Sequence, residues 1–408
     1  GNVINKDEAF LQSLDNWMGL VDYTAYTGGV RFYEPSITRA HSESVYSFLN
    51  PGAMFYGWWV SEDGSVGKLS QKSFKIIPCA GLKNLATFTN LDVPIVKQKE
   101  AVEPYKVVPN VHTVCFVISD GDNVGWVAGA GYWDAWIWKN DNQSRLKLGF
   151  TLSPALAELT PIIYNDLING LQTTPEGRNI AIASPSGLGY YFPSLSPNQP
   201  FHCEQLNKFM KKADMSIVNV IDNDNGSHNP NEYLKQSNID ALFFYTYGAQ
   251  YTGMNGKISW YKGKPSIGGR FSLWGNSSDR SPETQERVAQ GLANTLNSQS
   301  TSIYTEGGYS LIPVHIWTEN PTDVMNLISK LGPKVRVVAP DEFVWLIKKN
   351  IGRLPMGDGA GLKGEYFKGT NLDTLVTTKI DKKIDFEWGA NSPVSTLPKD
   401  NFSVRWTG

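Results

Sequence analysis

From residue 111 onward, eight short runs rich in Val, Ile and Phe recur near 113–119, 147–151, 178–183, 215–221, 240–245, 265–271, 309–316 and 334–338. Helical patterns separate most of them. A strand covered on both faces reads as a continuous apolar run, and strands alternating with helices build a parallel sheet. The helix starts are marked by Pro161 behind Thr160 and Pro282 behind Ser281, prolines at the first helical position following hydroxyl caps. Val324, Leu327, Ile328 and Leu331 form a stripe closed by Gly332 and Pro333, while Phe343, Leu346 and Ile347 mark a last helix ended by Gly352. After the first and fifth runs the helices are missing or irregular, and aromatic loops stand in their place. Eight strands in this length fit a (β/α)8-like barrel over 111–352, although an open doubly wound sheet gives the same alternation.

The flanks read differently. In 1–110, Phe10, Leu14 and Trp17, widened by Leu11 and Met18, are spaced as an amphipathic helix. Ala53–Val60 reads as a strand, Asp63-Gly64 as a turn and Phe74–Ile77 as a second strand, which makes a small α+β region. Residues 91–110, with Pro94, Pro104 and Pro109, read as a linker. After Arg353 a Gly-rich linker leads into 361–408, which lacks helical periodicity and reads as a partial β module.

A net charge of -2 with no Lys/Arg-rich block argues against nucleic acid as a partner. No apolar run approaches the roughly 18 residues needed to span a bilayer. Cys79, Cys115 and Cys203 are too few and scattered for a disulfide framework, and the neighbours His202 and Cys203 point in different directions on a helix. His41, His112, His202, His228 and His315 lack HxxxH spacing, so neither a metal nor another cofactor is expected. Oligomeric state is not legible, and no signal peptide is visible at Gly1.

In a barrel, function gathers at the C-terminal strand ends. The first run ends "SDGDN", with Asp120, Asp122 and Asn123 at the mouth. The fourth ends in Asp222 and Asp224, and the seventh in His315, Trp317 and Glu319. Tyr245 and Tyr247 close the fifth, while Arg270 and Trp274 follow the sixth. Asp341 reads instead as the cap of the last helix. Trp126, Tyr132, Trp133, Trp136 and Trp138 crowd the segment behind Asp122, and one or two should border the cleft. Acids facing each other among aromatic platforms suit glycoside hydrolysis, with Asp122 and Asp222 as the expected pair, Glu319 as substitute and Asp120 orienting its neighbour or binding a cation. A carbohydrate-binding protein would keep the aromatics without the acid pair, and a polysaccharide deacetylase would ordinarily call for paired histidines.

The third run ends "SPSGLGYYFPS". Gly187, Gly189, Tyr190 and Pro193 fit the signature of the GxGYxYP putative glycoside hydrolase family, with Phe192 where the signature has Tyr. With "SDGDN" and "SPALAELTP", the chain resembles that family across 50–350. The resemblance implies a carbohydrate substrate and a secreted, periplasmic or cell-surface location. The segments "GLKGEYFKGTNL", "IDFEWG" and "NFSVRWTG" resemble the opening strands of the protective-antigen-type β module, in a copy expected to be truncated.

Overall fold

The computed structural model describes residues 5–12, 20–33, 39–58, 62–79, 82–129, 140–171, 173–223, 229–252, 254–352 and 361–407. Its first unit is a four-stranded parallel sheet of β1 (Glu8–Gln12), β2 (Val30–Tyr33), β3 (Met54–Tyr56) and β4 (Lys75–Ile77), ordered β2-β1-β3-β4. Helices Val21–Thr27, Arg39–Phe48, Glu62–Ser70 and Leu85–Thr89 follow the strands in turn. This is α/β alternation, which corrects two expectations. Phe10 lies in a strand rather than a helix, and Asp63 and Gly64 lie inside a helix rather than a turn. Ala9 and Phe10 are both buried, because a parallel strand is covered on both faces, and that pattern has no period to read. Leu14, Trp17 and Met18 lie outside the described residues.

The central sheet contains β5 (His112–Ile118), β6 (Lys147–Leu152), β7 (Arg178–Ala183), β8 (Ile217–Asp222), β9 (Ala241–Thr246), β10 (Ile258–Tyr261), β11 (Lys264–Gly268), β12 (Tyr309–Val314) and β13 (Val335–Val337). The order is β10-β11-β9-β8-β7-β6-β5-β12, with β13 also pairing β5. All pairings are parallel except the β10–β11 hairpin, which the apolar pattern did not reveal. The sheet curls: the chain leaving β11 runs beside β12, with Arg270 N donating to Leu311 O at 3.0 Å and Leu273 N to Pro313 O at 2.9 Å. All three cysteines are buried and free.

Ser281 caps its helix by accepting from Thr284 N, whereas the Thr160 hydroxyl makes no such bond. Asp341 is no cap either. It sits in the first turn of Pro340–Asn350, where Arg178 and the Tyr105 hydroxyl donate to it. Arg178 also donates to the Lys99 carbonyl at 2.8 Å, so with the Tyr105 bond to Asp341 the 91–110 segment, which contains no helix or strand, is fastened at the N-terminal end of β7. Three antiparallel strands, β14 (Leu362–Lys368), β15 (Thr374–Asp381) and β16 (Phe402–Thr407), complete the chain in the order β15-β14-β16.

The two parallel units are stitched together by the Gly-rich loop after β7. Tyr190 N donates to Ile76 O at 2.7 Å and Ile76 N to Tyr190 O at 3.0 Å, a bridge between that loop and β4. A Cβ at Gly189 would lie 2.7 Å from the Ile76 carbonyl oxygen, so this approach requires glycine. Nearby, Gly125 N donates to Pro78 O at 2.7 Å, joining the loop after β5 to the end of β4. C-terminal strand ends of both units therefore border one seam.

Candidate active site at the seam

The turn after β5 is held tightly. Asp120 adopts a left-handed backbone with φ 61, and a side chain at Gly121 would overlap the Thr151 carbonyl, so the local path requires glycine at 121. Gly121 N donates to Thr151 Oγ1 at 2.9 Å, and that hydroxyl donates to Ile118 O at 2.8 Å. The turn is pinned to the end of β6, and it presents Asp120 and Asp122 as a fixed pair.

Asp122 is only 8% exposed. Burial, then the repulsion of Asp120 and Glu62, pushes its carboxyl well above the usual range. Asp120 accepts from the Ser119 hydroxyl and, at 3.2 Å, from Tyr251. Burial raises its pKa too, while these donors and the Trp317 indole draw it back. Glu62 comes from the other unit, exposed at the start of Glu62–Ser70, and accepts from the Tyr190 hydroxyl at 3.0 Å. Burial keeps both Tyr190 and Tyr251 protonated as donors. Glu62, Tyr251 and Trp58, whose ring stacks 6.4 Å from that of Tyr190, were not found in the sequence. Glu62 would have stood out as a strand-end residue had the first unit been read as parallel.

An aromatic wall continues from these acids. Trp317 is 42% exposed and packs 4.9 Å from Trp126. Trp274 stacks on His315 at 3.5 Å, and Tyr251 meets Trp274 edge-on at 5.0 Å. Burial lowers the His315 pKa to about 4, so its ring is neutral. Tyr247 is half-buried and packs 5.5 Å from Phe192. Asn123 precedes the short helix Val124–Val127 and makes no side-chain cap bond. Glu319 is buried near Asp323, and burial followed by that repulsion lifts it to about 8.

Two expected site residues face elsewhere. Asp222 is fully buried, accepting from Ser194 N at 2.8 Å, Ser194 Oγ at 2.5 Å and Asn223 N at 2.8 Å. Its charge acts on Tyr191 and Tyr233, whereas the carboxylates acting on Asp122 are Asp120 and Glu62. A polar residue ending a strand can as readily tie down the neighbouring loop as face a ligand, and here it ties down the Gly-rich loop. Arg270 donates to the Tyr309 carbonyl at 3.0 Å and to that of Glu306 at 2.9 Å, at the N-terminal end of β12 and away from the acids. The cause is that its segment runs on beside β12 and reaches the mouth only at Trp274. Gly187, with φ +99, packs against Leu206 and shapes the loop. Asp224, Tyr132, Trp133, Trp136 and Trp138 lie outside the described residues, as does His228.

Carboxyls, tyrosines and tryptophans thus meet where strand ends of a mixed α/β fold come together. Residues 110–348 match the GxGYxYP putative glycoside hydrolase C-terminal domain, and the chain belongs to that family. It is similar to a crystal structure of a putative hydrolase from Bacteroides thetaiotaomicron VPI-5482, with 30% identity, a TM-score of 0.74, and coverage of 86% of this chain and 68% of that one. A 52-residue stretch is 44% identical to the anti-sigma-I factor RsgI3 of Acetivibrio thermocellus, covering 13% of this chain and 8% of that protein. Among the described residues, no helix is long and apolar enough to cross a membrane, and no group of three or more His, Cys, Asp or Glu side chains is arranged to hold a metal ion.

Proposed function

We propose that the chain is a glycoside hydrolase acting on a polysaccharide or oligosaccharide, with Asp122 as general acid and the exposed Glu62 as its partner across the seam. The observation that carries this is the contrast between the two carboxyls. One is buried and repelled by its neighbours, which pushes its carboxyl well above the usual range; the other is exposed and bonded by a tyrosine hydroxyl. A glycosidase needs that asymmetry, since one group must protonate the leaving oxygen while the other attacks the anomeric carbon or activates water. Asp120 orients and tunes Asp122 through their mutual repulsion. Glu319 is the second candidate for proton donor. Asp222 acts as a positioning residue, holding Ser194 and with it the loop that carries Tyr190. Tyr190, Tyr247, Trp126, Trp274, His315 and Trp317 form the glycan-binding wall, and the curled sheet closes as a barrel through 269–273. The family's hydrolase name supports the reaction class.

The experiment is reducing-end release from a panel of oligosaccharides by the full chain and by Asp122→Asn. Turnover by the first and its loss in the second is the expected result. Binding of a glycan with no cleavage by either would make this a carbohydrate-binding protein instead.

A further inference from the structure

We infer that the chain carries a glycan site remote from the seam, in the cavity between the C-terminal β module and the central unit, where an uncharged oligosaccharide is held through its hydroxyls. Such a site does not depend on the acids at the seam and exists whether or not they cleave. The cavity measures about 810 Å³. One wall is the stretch 297–305 that leads toward β12, together with Lys334 before β13; the other is the turn 370–373 between β14 and β15. His315 and Trp317 follow the far end of β12, so about 20 Å of strand separates this cavity from the seam.

Both walls are fixed before a ligand arrives. Ser302 Oγ donates to Leu372 O at 3.0 Å across the joint, and Arg405 of β16 reaches over to the carbonyls of Tyr304 and Asn350. Within the turn, Leu372 N donates to Ser403 Oγ at 3.0 Å, and that hydroxyl donates to Gly369 O at 2.7 Å. On the opposite wall, His112 Nδ1 meets Ser300 O at 3.0 Å. A cavity already in shape loses little freedom when it takes a ligand.

What the walls offer matches the chemistry of a sugar. Every lining side chain except Lys334, Leu372 and Asp373 ends in a hydroxyl or an amide. Asn297, Ser302 and Thr305 are committed to backbone carbonyls. By contrast, none of the hydrogen bonds or ion pairs among the described residues engages the side chain of Thr301, Lys334, Thr370, Asn371 or Asp373. Hydroxyls and amides both donate and accept, as sugar hydroxyls do. The single ammonium and the single carboxylate stand on opposite walls and offset each other, so no net charge recruits an ionic ligand. Among the described residues no aromatic ring lines the cavity, which gives a flat apolar ligand nothing to stack on. An uncharged, polyhydroxylated chain is the ligand that uses all five uncommitted groups.

Calorimetry on the full chain tests this, with neutral cello-, xylo-, manno- and arabino-oligosaccharides set against oligogalacturonate. At least one neutral glycan should bind, with an affinity that changes less than about twofold between low salt and about 1 M salt. Thr301→Trp fills the cavity from one wall, and Asn371→Ala combined with Asp373→Ala strips the other. Each should weaken that binding at least about fivefold, the loss expected for a hydrogen-bonded ligand deprived of its partners. Because these side chains bond nothing else in the fold, both variants should keep wild-type stability, and kcat on any glycan that the wild type cleaves should stay within about twofold. Unchanged affinity in either variant, an affinity that falls steeply with salt, tighter binding of oligogalacturonate than of every neutral glycan, or no binding by any of them overturns the inference. The glycosidase reading is decided separately, by cleavage and its loss in Asp122→Asn.

Discussion

The two parallel sheets of this molecule meet at their C-terminal strand ends, yet they supply the site in opposite ways. The central sheet delivers Asp120 and Asp122 from a turn locked to its neighbouring strand, and Asp122 is buried there. The first sheet delivers Glu62 from the exposed start of a helix, bonded to a tyrosine that belongs to the other unit. One side is rigid and desolvated, the other accessible. On the proposed reading, carboxyls of similar intrinsic acidity are separated in role by where the fold puts them, so that one site holds a proton donor and a carboxylate side by side.

The strongest way to break that comparison is to remove the acids singly. Asp122→Asn and Glu62→Gln should each lower kcat by about 10²- to 10⁴-fold, since an amide of the same shape neither donates the proton nor acts as base. Asp222→Asn should behave differently. Its amide would set N–H against the donors of Ser194 and Asn223, costing roughly 2 kcal/mol of stability with a smaller loss of turnover. Steady-state kinetics beside urea denaturation separates these outcomes. If Asp222→Asn loses turnover as fully as Asp122→Asn while remaining as stable as wild type, Asp222 and not Glu62 is the partner.

A second attack goes through the seam itself. Gly189→Ala places a Cβ against the Ile76 carbonyl, threatening the pair of backbone bonds that joins the units. We expect a loss of about 2 to 3 kcal/mol and a fall in turnover, because Glu62 and Asp122 no longer share one frame. Denaturation should lose its single transition if the units then unfold separately.

The same contrast governs what the sequence revealed. Strands of the central sheet such as β5, β7 and β12 run six or seven residues and are almost wholly buried, so their apolar runs stand out. Strands β2, β3 and β4 have three or four residues, too few to establish a period. Phe10, Leu14 and Trp17 therefore suggested a helix where β1 begins, and with the first unit misread there was no strand end to point to Glu62. Asp120, Asp122 and Tyr190 were legible because they follow long strands or a Gly-rich signature. Asp222 and Arg270 satisfied the same rule, but Asp222 holds Ser194 and Arg270 holds the carbonyls of Glu306 and Tyr309, partners distant in sequence.

Titration offers a third, smaller effect, confined to the central unit. Glu319 is raised from 4.5 to about 8, so between those values the folded chain holds a proton that the unfolded chain has lost. Its contribution to stability is present below about pH 4.5 and is lost as pH rises through about 8. His202 runs the other way. Burial lowers it from 6.5 to about 3, so its contribution is present above 6.5 and fades as pH falls toward 3. Relative to Glu319→Gln, the wild type should thus weaken as pH rises from 4.5 to 8, and relative to His202→Asn it should weaken as pH falls below 6.5. Urea midpoints across that pH range report both, and parallel lines for wild type and variant would refute the assignments.

The smallest expected effect lies where the chain departs from its family's signature. Phe192 is fully buried between the units, 5.6 Å from the Tyr190 ring and 5.5 Å from that of Tyr247, and its N–H donates to Ser70 Oγ at 2.9 Å. Its side chain belongs to the packing behind Tyr190, whereas Tyr190 alone of the three consecutive aromatics bonds a site carboxylate. Tyr191 turns the other way and stacks on His202 at 4.2 Å. Restoring the signature hydroxyl with Phe192→Tyr would bury an oxygen in an apolar contact, at a cost of about 1 to 2 kcal/mol unless it finds a partner. Turnover should stay within about twofold of wild type, since no bond to Glu62, Asp120 or Asp122 is made or broken. A rise of about tenfold in kcat with stability unchanged would mean that this hydroxyl reaches the acids, and the boundary drawn here between the packed side of the loop and its reactive side would have to move by two residues.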